Sequence, residues 1–128
     1  MVLSNERINI AGTSPFEPII GFSRAVRIGN QVHVSGTGPV GADDASVTEQ
    51  TERCLALIAT ALESAGTSLA HVYRTRMYLT RAADWEAVGR AHGVAFAAHR
   101  PAATMVVVAA LLRSSWRIEI EADAIVPE

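Results

Sequence analysis

Trp116-Arg117-Ile118-Glu119-Ile120-Glu121-Ala122-Asp123-Ala124-Ile125-Val126 alternates between apolar and charged residues as far as Ala124 and then runs on in apolar ones. A period of two sends Trp116, Ile118, Ile120, Ala122 and Ala124 to one face of a strand and Arg117, Glu119, Glu121 and Asp123 to the other. One face belongs to a core. The other carries charge and is left for something other than the interior of the same chain.

Working outward from this strand, Ala103 to Leu112 is a nearly unbroken apolar run rich in Val and reads as another strand. Before it, Asp84 is placed to cap a helix. Trp85, Val88, Ala95 and Phe96 share a face of that helix with His92 and His99, and Pro101 forbids its continuation. His71 to Thr80 alternates again, with Tyr73, Thr75, Met77 and Leu79 on one face and Val72, Arg74, Arg76 and Tyr78 on the other. Ser46-Val47-Thr48-Glu49 has the form of a capping box, in which the Ser46 hydroxyl accepts from the Glu49 amide and the Glu49 side chain reaches back to the Ser46 N–H. Thr51, Cys54, Leu55, Ile58, Ala61, Leu62 and Ala65 follow at helical spacing and Gly66 supplies the left-handed terminator, so a helix is expected over Val47 to Ala65. Cys54 lies on its apolar stripe, where a buried thiol is inert.

Arg7 to Ile10 and Ala25 to Ser35 are rich in Val and Ile, and Gly29-Asn30 sits where a tight hairpin turn needs positive φ. The glycines from Gly36 to Gly41 lack the strand-glycines-helix layout of a phosphate cradle and read as turn and loop. The order is strand, strand, helix, strand, helix, strand, strand, which implies two helices packed on one face of a sheet in a single domain spanning residues 1–128. Arg74 and Arg76 share the uncovered face with the acids of the last strand. A face so charged is expected to meet other subunits through paired charges.

Composition narrows the chemistry. All 11 Lys+Arg residues are Arg, which excludes Schiff-base lysines, pyridoxal phosphate attachment and a Walker-type lysine. A net charge of −2 argues against nucleic acid, where a basic excess is the usual footprint. The single Cys54 can form no internal disulfide, which points to a reducing, cytoplasmic setting. Met1 to Ile10 has no apolar run of signal-peptide length, and no stretch approaches the ~20 apolar residues of a membrane span. His33, His71 and His99 have no metal-ligand spacing, so neither metal nor cofactor is expected.

Phe22-Ser23-Arg24-Ala25-Val26, the Gly29-Asn30 turn, Val34-Ser35-Gly36, Gln50-Thr51, Ala65-Gly66, Thr75-Arg76-Met77-Tyr78-Leu79, Pro101-Ala102-Ala103 and Ile118-Glu119-Ile120-Glu121-Ala122 together resemble the Rid family, also called YjgF/YER057c/UK114. The matching pieces span nearly the whole chain. The resemblance implies an α+β, chorismate-mutase-like fold and a homotrimer with small-molecule clefts between subunits, the best-known members being enamine and imine deaminases. In active members the segment reads Pro-Ala-Arg, and the guanidinium grips the substrate carboxylate. Here that position is Ala103. Loss of such a contact costs roughly 2–5 kcal/mol, a factor of ~30 or more in affinity.

Other matching positions depart too: Phe22 stands where active members commonly carry Tyr, Gly89 where many carry Asn and Met105 where many carry Cys. Glu119 matches the acid that positions the attacking water, and Ser35-Gly36 matches a loop lining the cleft. Glu119 has an alternative role as an interface carboxylate paired with Arg74, Arg76 or Arg117. Arg24, beside Phe22 in a wall of the cleft, is the arginine best placed to replace the missing one, unless it is a solvated edge charge. His92 is read as a packed, hydrogen-bonded histidine. The expected function is binding of a small metabolite in intersubunit clefts, with 2-iminobutanoate/2-aminoacrylate deamination weak or absent. The alternative is an enamine or imine deaminase or related hydrolase acting on another substrate through Glu119 and water, and ribonuclease or translation-inhibitor activity ranks last.

Overall fold

A computed structural model of the chain describes residues 6–128, so the first half of the Met1 to Ile10 stretch lies outside the described residues. The elements are β1 (Arg7–Ile10), α1 (Glu17–Ile20), β2 (Ala25–Ile28), β3 (Gln31–Thr37), α2 (Val47–Ser64), β4 (Val72–Leu79), α3 (Trp85–Phe96), β5 (Ala102–Val107) and β6 (Ile118–Ile125). The strands form one mixed sheet in the order β1-β2-β3-β6-β4-β5. Only β4 and β5 run parallel, which is why α3 lies between them in the chain as a crossover. The result is an α+β fold with α2 and α3 on one face, as expected from the order of elements.

The last strand in the chain lies inside the sheet, between β3 and β4. Its inward set of Trp116, Ile118, Ile120, Ala122 and Ala124 is buried without exception. Against it packs the stripe of α2, in which Thr51, Cys54, Ile58 and Leu62 have no measurable exposure. Truncating such a side chain as Leu62 to Ala costs about 2–5 kcal/mol through lost transfer energy and the cavity left behind. Ser46 caps α2 by accepting from Glu49 N at 3.2 Å. The reciprocal half of the expected box differs: the Glu49 carboxylate accepts from the Ser46 hydroxyl at 3.2 Å instead of reaching the Ser46 N–H. Gly66 takes φ +91°, and Thr67 N closes the helix end on Leu62 O at 2.9 Å.

Three local expectations need correction. Val72 is buried and Tyr73 exposed, the reverse of the expected alternation, because the β4–β6 register shifts between Val72 and Arg74. Asp84 makes no cap with its side chain. Its carboxylate instead accepts from Arg117 Nε at 3.0 Å and Nη2 at 2.7 Å, a two-pronged ion pair tying the start of α3 to the approach of β6. With Asp84 turned inward, Trp85 stands 60% exposed rather than in the core, and His99 lies beyond the helix end. His92 does pack as read, its Nε2 2.9 Å from Thr75 Oγ1 and its ring against Phe96. Burial lowers its pKa.

Candidate functional site

Opposite the helices, the open face of the sheet carries Glu119, Glu121 and Asp123 of β6 beside Arg76 and Tyr78 of β4. Arg76 Nη1 approaches Asp123 Oδ2 at 3.3 Å and Glu121 Oε1 at 3.9 Å, and the Tyr78 hydroxyl donates to Glu121. Arg74 Nη2 donates to Thr104 Oγ1 at 2.9 Å. Arg117 is held by Asp84. None of the three arginines considered as partners for Glu119 is therefore bound to it, and among the described residues its carboxylate accepts no hydrogen bond.

What Glu119 meets instead is a bulge. The pairing of β3 with β6 slips between Val34 and Thr37, so Ser35 and Gly36 are crowded opposite one stretch of β6. A Cβ on Gly36 would lie 2.5 Å from Glu119 Oε2, so glycine is what lets the carboxyl lie against the chain there. Ser35 contributes scaffolding: its hydroxyl donates to Ser23 O at 2.7 Å, and its amide donates to Arg24 O at 2.9 Å. These bonds fix the segment before β2 against β3.

That segment brings in Arg24, which is 8% exposed and so is no solvated edge charge. Its Nη2 donates to Gly36 O at 3.1 Å, its guanidinium carbon lies 5.2 Å from the Phe22 ring centroid, and its buried Nε has no partner. Burial lowers the Arg24 pKa against the opposing charges of Glu17 and Glu119. Burial likewise pushes the Glu119 carboxyl above the ordinary carboxylate value, with Arg24 pulling the other way and Glu121 adding to the rise. A half-buried acid and a buried guanidinium flanking one peptide unit form a site able to hold a polar group and to exchange a proton with it.

Phe22, Arg24, Gly36 and Glu119 line a hollow of about 30 Å³ together with Phe16 and Trp116. Phe16 and Trp116 were not foreseen there. Trp116 was legible as an inward residue of the last strand, but its ring reaches past the strand to cover Gly38, where a Cβ would collide with it. Its Nε1 donates to Asp43 Oδ1 at 3.0 Å. Phe16 carried no signal in the sequence, because it is delivered by a loop and the single turn of α1.

Gly89, Ala103 and Met105 do not join this group. Gly89 lies on α3 with open space where a Cβ would be. Ala103 pairs with Thr75 and Met105 with Met77, on the helix-covered side of β5, an edge strand. Glu119 pairs with Tyr78 on the other side. Strands β6 and β4 intervene between β3 and β5, a separation of about 14 Å at the usual strand spacing. Within one chain, Ala103 and Glu119 are on opposite faces of the sheet. Among the described residues there is no group of three His, Cys, Asp or Glu side chains placed to hold a metal, and no helix is long and apolar enough to cross a membrane.

One mixed sheet, backed by two helices and bearing an acid and a guanidinium at a bulge on its open side, defines a small α+β protein with a polar hollow. Residues 4–126 match the family described as Endoribonuclease L-PSP, and the chain belongs to that family, the YjgF/YER057c/UK114 or Rid family. It is similar to a YjgF/YER057c/UK114 family member from Mycobacterium tuberculosis, with 44% identity, a TM-score of 0.89 and coverage of 94% of this chain and 100% of that one. A YjgF family protein from Neisseria meningitidis is 27% identical with a TM-score of 0.84, covering 97% and 98% of the two chains. An uncharacterized protein of Streptomyces coelicolor is 35% identical over 87% of this chain and 86% of its own length. A RutC family protein of Pyrococcus abyssi is 31% identical over 84% and 88%.

Proposed function

We propose that the protein is a homotrimer that binds a small metabolite in clefts between subunits, and that its 2-iminobutanoate/2-aminoacrylate deaminase activity is weak or absent. The observation that carries this reading is the division of the candidate site. Phe22, Arg24, Ser35, Gly36 and Glu119 gather at the β3–β6 bulge, whereas Ala103 and Met105 lie on β5 on the other face and Gly89 stands apart on α3. Only a second copy of the chain can bring the two groups together. The exposed edge of β5 and the charged open face supply surfaces for such an assembly.

Ala103 offers neither charge nor donor to an acidic substrate. Arg24 restores a guanidinium to the hollow, but one nitrogen is bound to Gly36 O and the charge is opposed by Glu17 and Glu119. It is therefore a weaker anchor for a carboxylate than a free two-pronged arginine. The hollow is walled by Phe16, Phe22 and Trp116, which suits a ligand with an apolar body and a polar end.

A second reading, hydrolysis of an enamine or imine other than the usual acids, is favoured by Glu119 itself. Its carboxyl is half-buried, raised in pKa and free to bind water. In such a reaction water adds to the imine carbon while Glu119 takes one of its protons and passes it to nitrogen, and the proton of the resulting carbinolamine hydroxyl then follows by the same route, so that the C–N bond breaks, ammonia leaves and a carbonyl remains. Ribonuclease action is not adopted: the net charge of −2 and the absence of lysine give no footprint for a phosphate backbone. Sedimentation equilibrium tests the trimer, and ammonia release from freshly generated 2-aminoacrylate tests the chemistry. A monomer at micromolar concentration contradicts the first claim, and rapid turnover contradicts the second.

A further inference from the structure

Resting on the reading of the Arg24–Glu119 hollow as a binding site, we propose that its occupant presents a neutral amide edge, an N–H beside a C=O, rather than a carboxylate. The hydrogen-bonding groups are set out for it. Glu119 accepts nothing among the described residues and offers a carboxylate to a donor. Among the described residues, Nη2 is the one guanidinium nitrogen of Arg24 with a partner, Gly36 O, so the group retains donors for an acceptor. Both side chains converge on Gly36, one at its carbonyl and the other over its Cα. A ligand spanning them must accept from one side and donate to the other within the width of a peptide unit. A carboxamide, lactam or ureide edge does this.

Charge selects against the alternatives. Glu17, Arg24 and Glu119 interact as a set, and their formal charges of −1, +1 and −1 sum to −1. Glu17 is anchored there, its carboxylate accepting from Gly12 N at 2.9 Å and Ser14 N at 3.1 Å. An anion entering beside Arg24 is drawn to one charge and repelled by two. An ammonium satisfies Glu119 but leaves the donors of Arg24 facing a positive charge. A neutral group with both functions meets each partner without an uncompensated charge. Size agrees: about 30 Å³ takes only one or two water-sized groups, so the polar edge of the ligand enters and the remainder lies along Phe16, Phe22 and Trp116.

The test uses three molecules with the same three-carbon skeleton, propionamide, propionate and propylammonium, the first two being nearly equal in shape. Trp85→Phe removes the exposed indole on α3 and leaves Trp116, in the wall of the hollow, as the only tryptophan. Trp116 fluorescence is then titrated with each. Propionamide is expected to bind about tenfold or more tighter than either ion, and Glu119→Gln, which removes the negative charge but keeps the shape, is expected to erase the discrimination against propionate. Tighter binding of propionate that strengthens when Glu119 is replaced by Ala, or of propylammonium that is lost in the same variant, overturns the amide assignment while leaving the hollow a binding site. No response of Trp116 to any of the three overturns the assignment together with the reading it rests on.

Discussion

The Glu119 carboxylate occupies the space that a methyl group on Gly36 would fill, with Oε2 2.5 Å from that position. The obstructing atom is the far end of a flexible side chain, so Gly36→Ala is accommodated by swinging Glu119 aside. An altered rotamer costs about 0.5–1.5 kcal/mol. The variant is expected to fold with a small loss of stability and to lose ligand response at Trp116 altogether. Thermal unfolding and fluorescence titration of the same preparation separate the two effects.

Burial raises the pKa of Glu119 above its ordinary value of 4.5. Because the folded chain prefers the protonated acid, the stability associated with this group is fully present below pH 4.5 and is lost as pH rises through the folded value. Glu119→Gln is neutral at every pH. It is therefore expected to be more stable than the natural chain at neutral pH, with the gap closing as pH falls toward about 4. Urea midpoints of the two proteins across that range check the sign, and a gap that widens on acidification contradicts it.

Asp84 and Arg117 form a two-pronged pair at 2.7 and 3.0 Å, with the Asp84 side chain only 9% exposed. Asp84→Ala leaves a largely buried guanidinium without its counter-charge and frees the start of α3 from β6. The expected destabilisation is about 2–4 kcal/mol, reduced from the fully buried case because Arg117 retains some contact with water. Denaturant unfolding measures it directly. A change near zero would show that water replaces the carboxylate at little cost.

Cys54 is without exposure on α2, and burial pushes its thiol well above the ordinary range. Alkylation by iodoacetamide is expected to proceed only through opening of the structure, at a rate that rises with denaturant in step with unfolding. Rapid labelling of the native protein would place the thiol elsewhere.

The parts of this fold that could be read from the sequence are those in which one local period coincides with one packing surface. The alternation in β6 and the 3.6-residue stripe of α2 survive because each meets the same neighbour along its whole length. Trp85 breaks the rule. Its spacing from Val88 and His92 placed it inward, but it stands in the first turn of α3, where the preceding Asp84 is turned to Arg117 and the indole is left 60% exposed. β5 departs in another way: the apolar run expected as a strand over Ala103 to Leu112 is paired only over Ala102–Val107 and lies at the sheet edge, with Val107 56% exposed. Of the candidate site, Phe22, Arg24, Gly36 and Glu119 were singled out through the family resemblance, and they line one hollow. The bulge at Ser35-Gly36, the burial of Arg24 and the arrival of Phe16 are products of tertiary packing and leave no trace in local pattern.

The proposal that Ala103 leaves the cleft without an anchor for an acid is tested most directly by ammonia release from freshly generated 2-aminoacrylate by the natural chain and by Ala103→Arg. The natural chain is expected to release little ammonia above the uncatalysed rate, and the variant to gain activity by a factor of ~30 or more, the worth of a restored guanidinium–carboxylate contact. Comparable and rapid turnover by both proteins would mean that Arg24 already anchors the acid and that the chemistry was never lost.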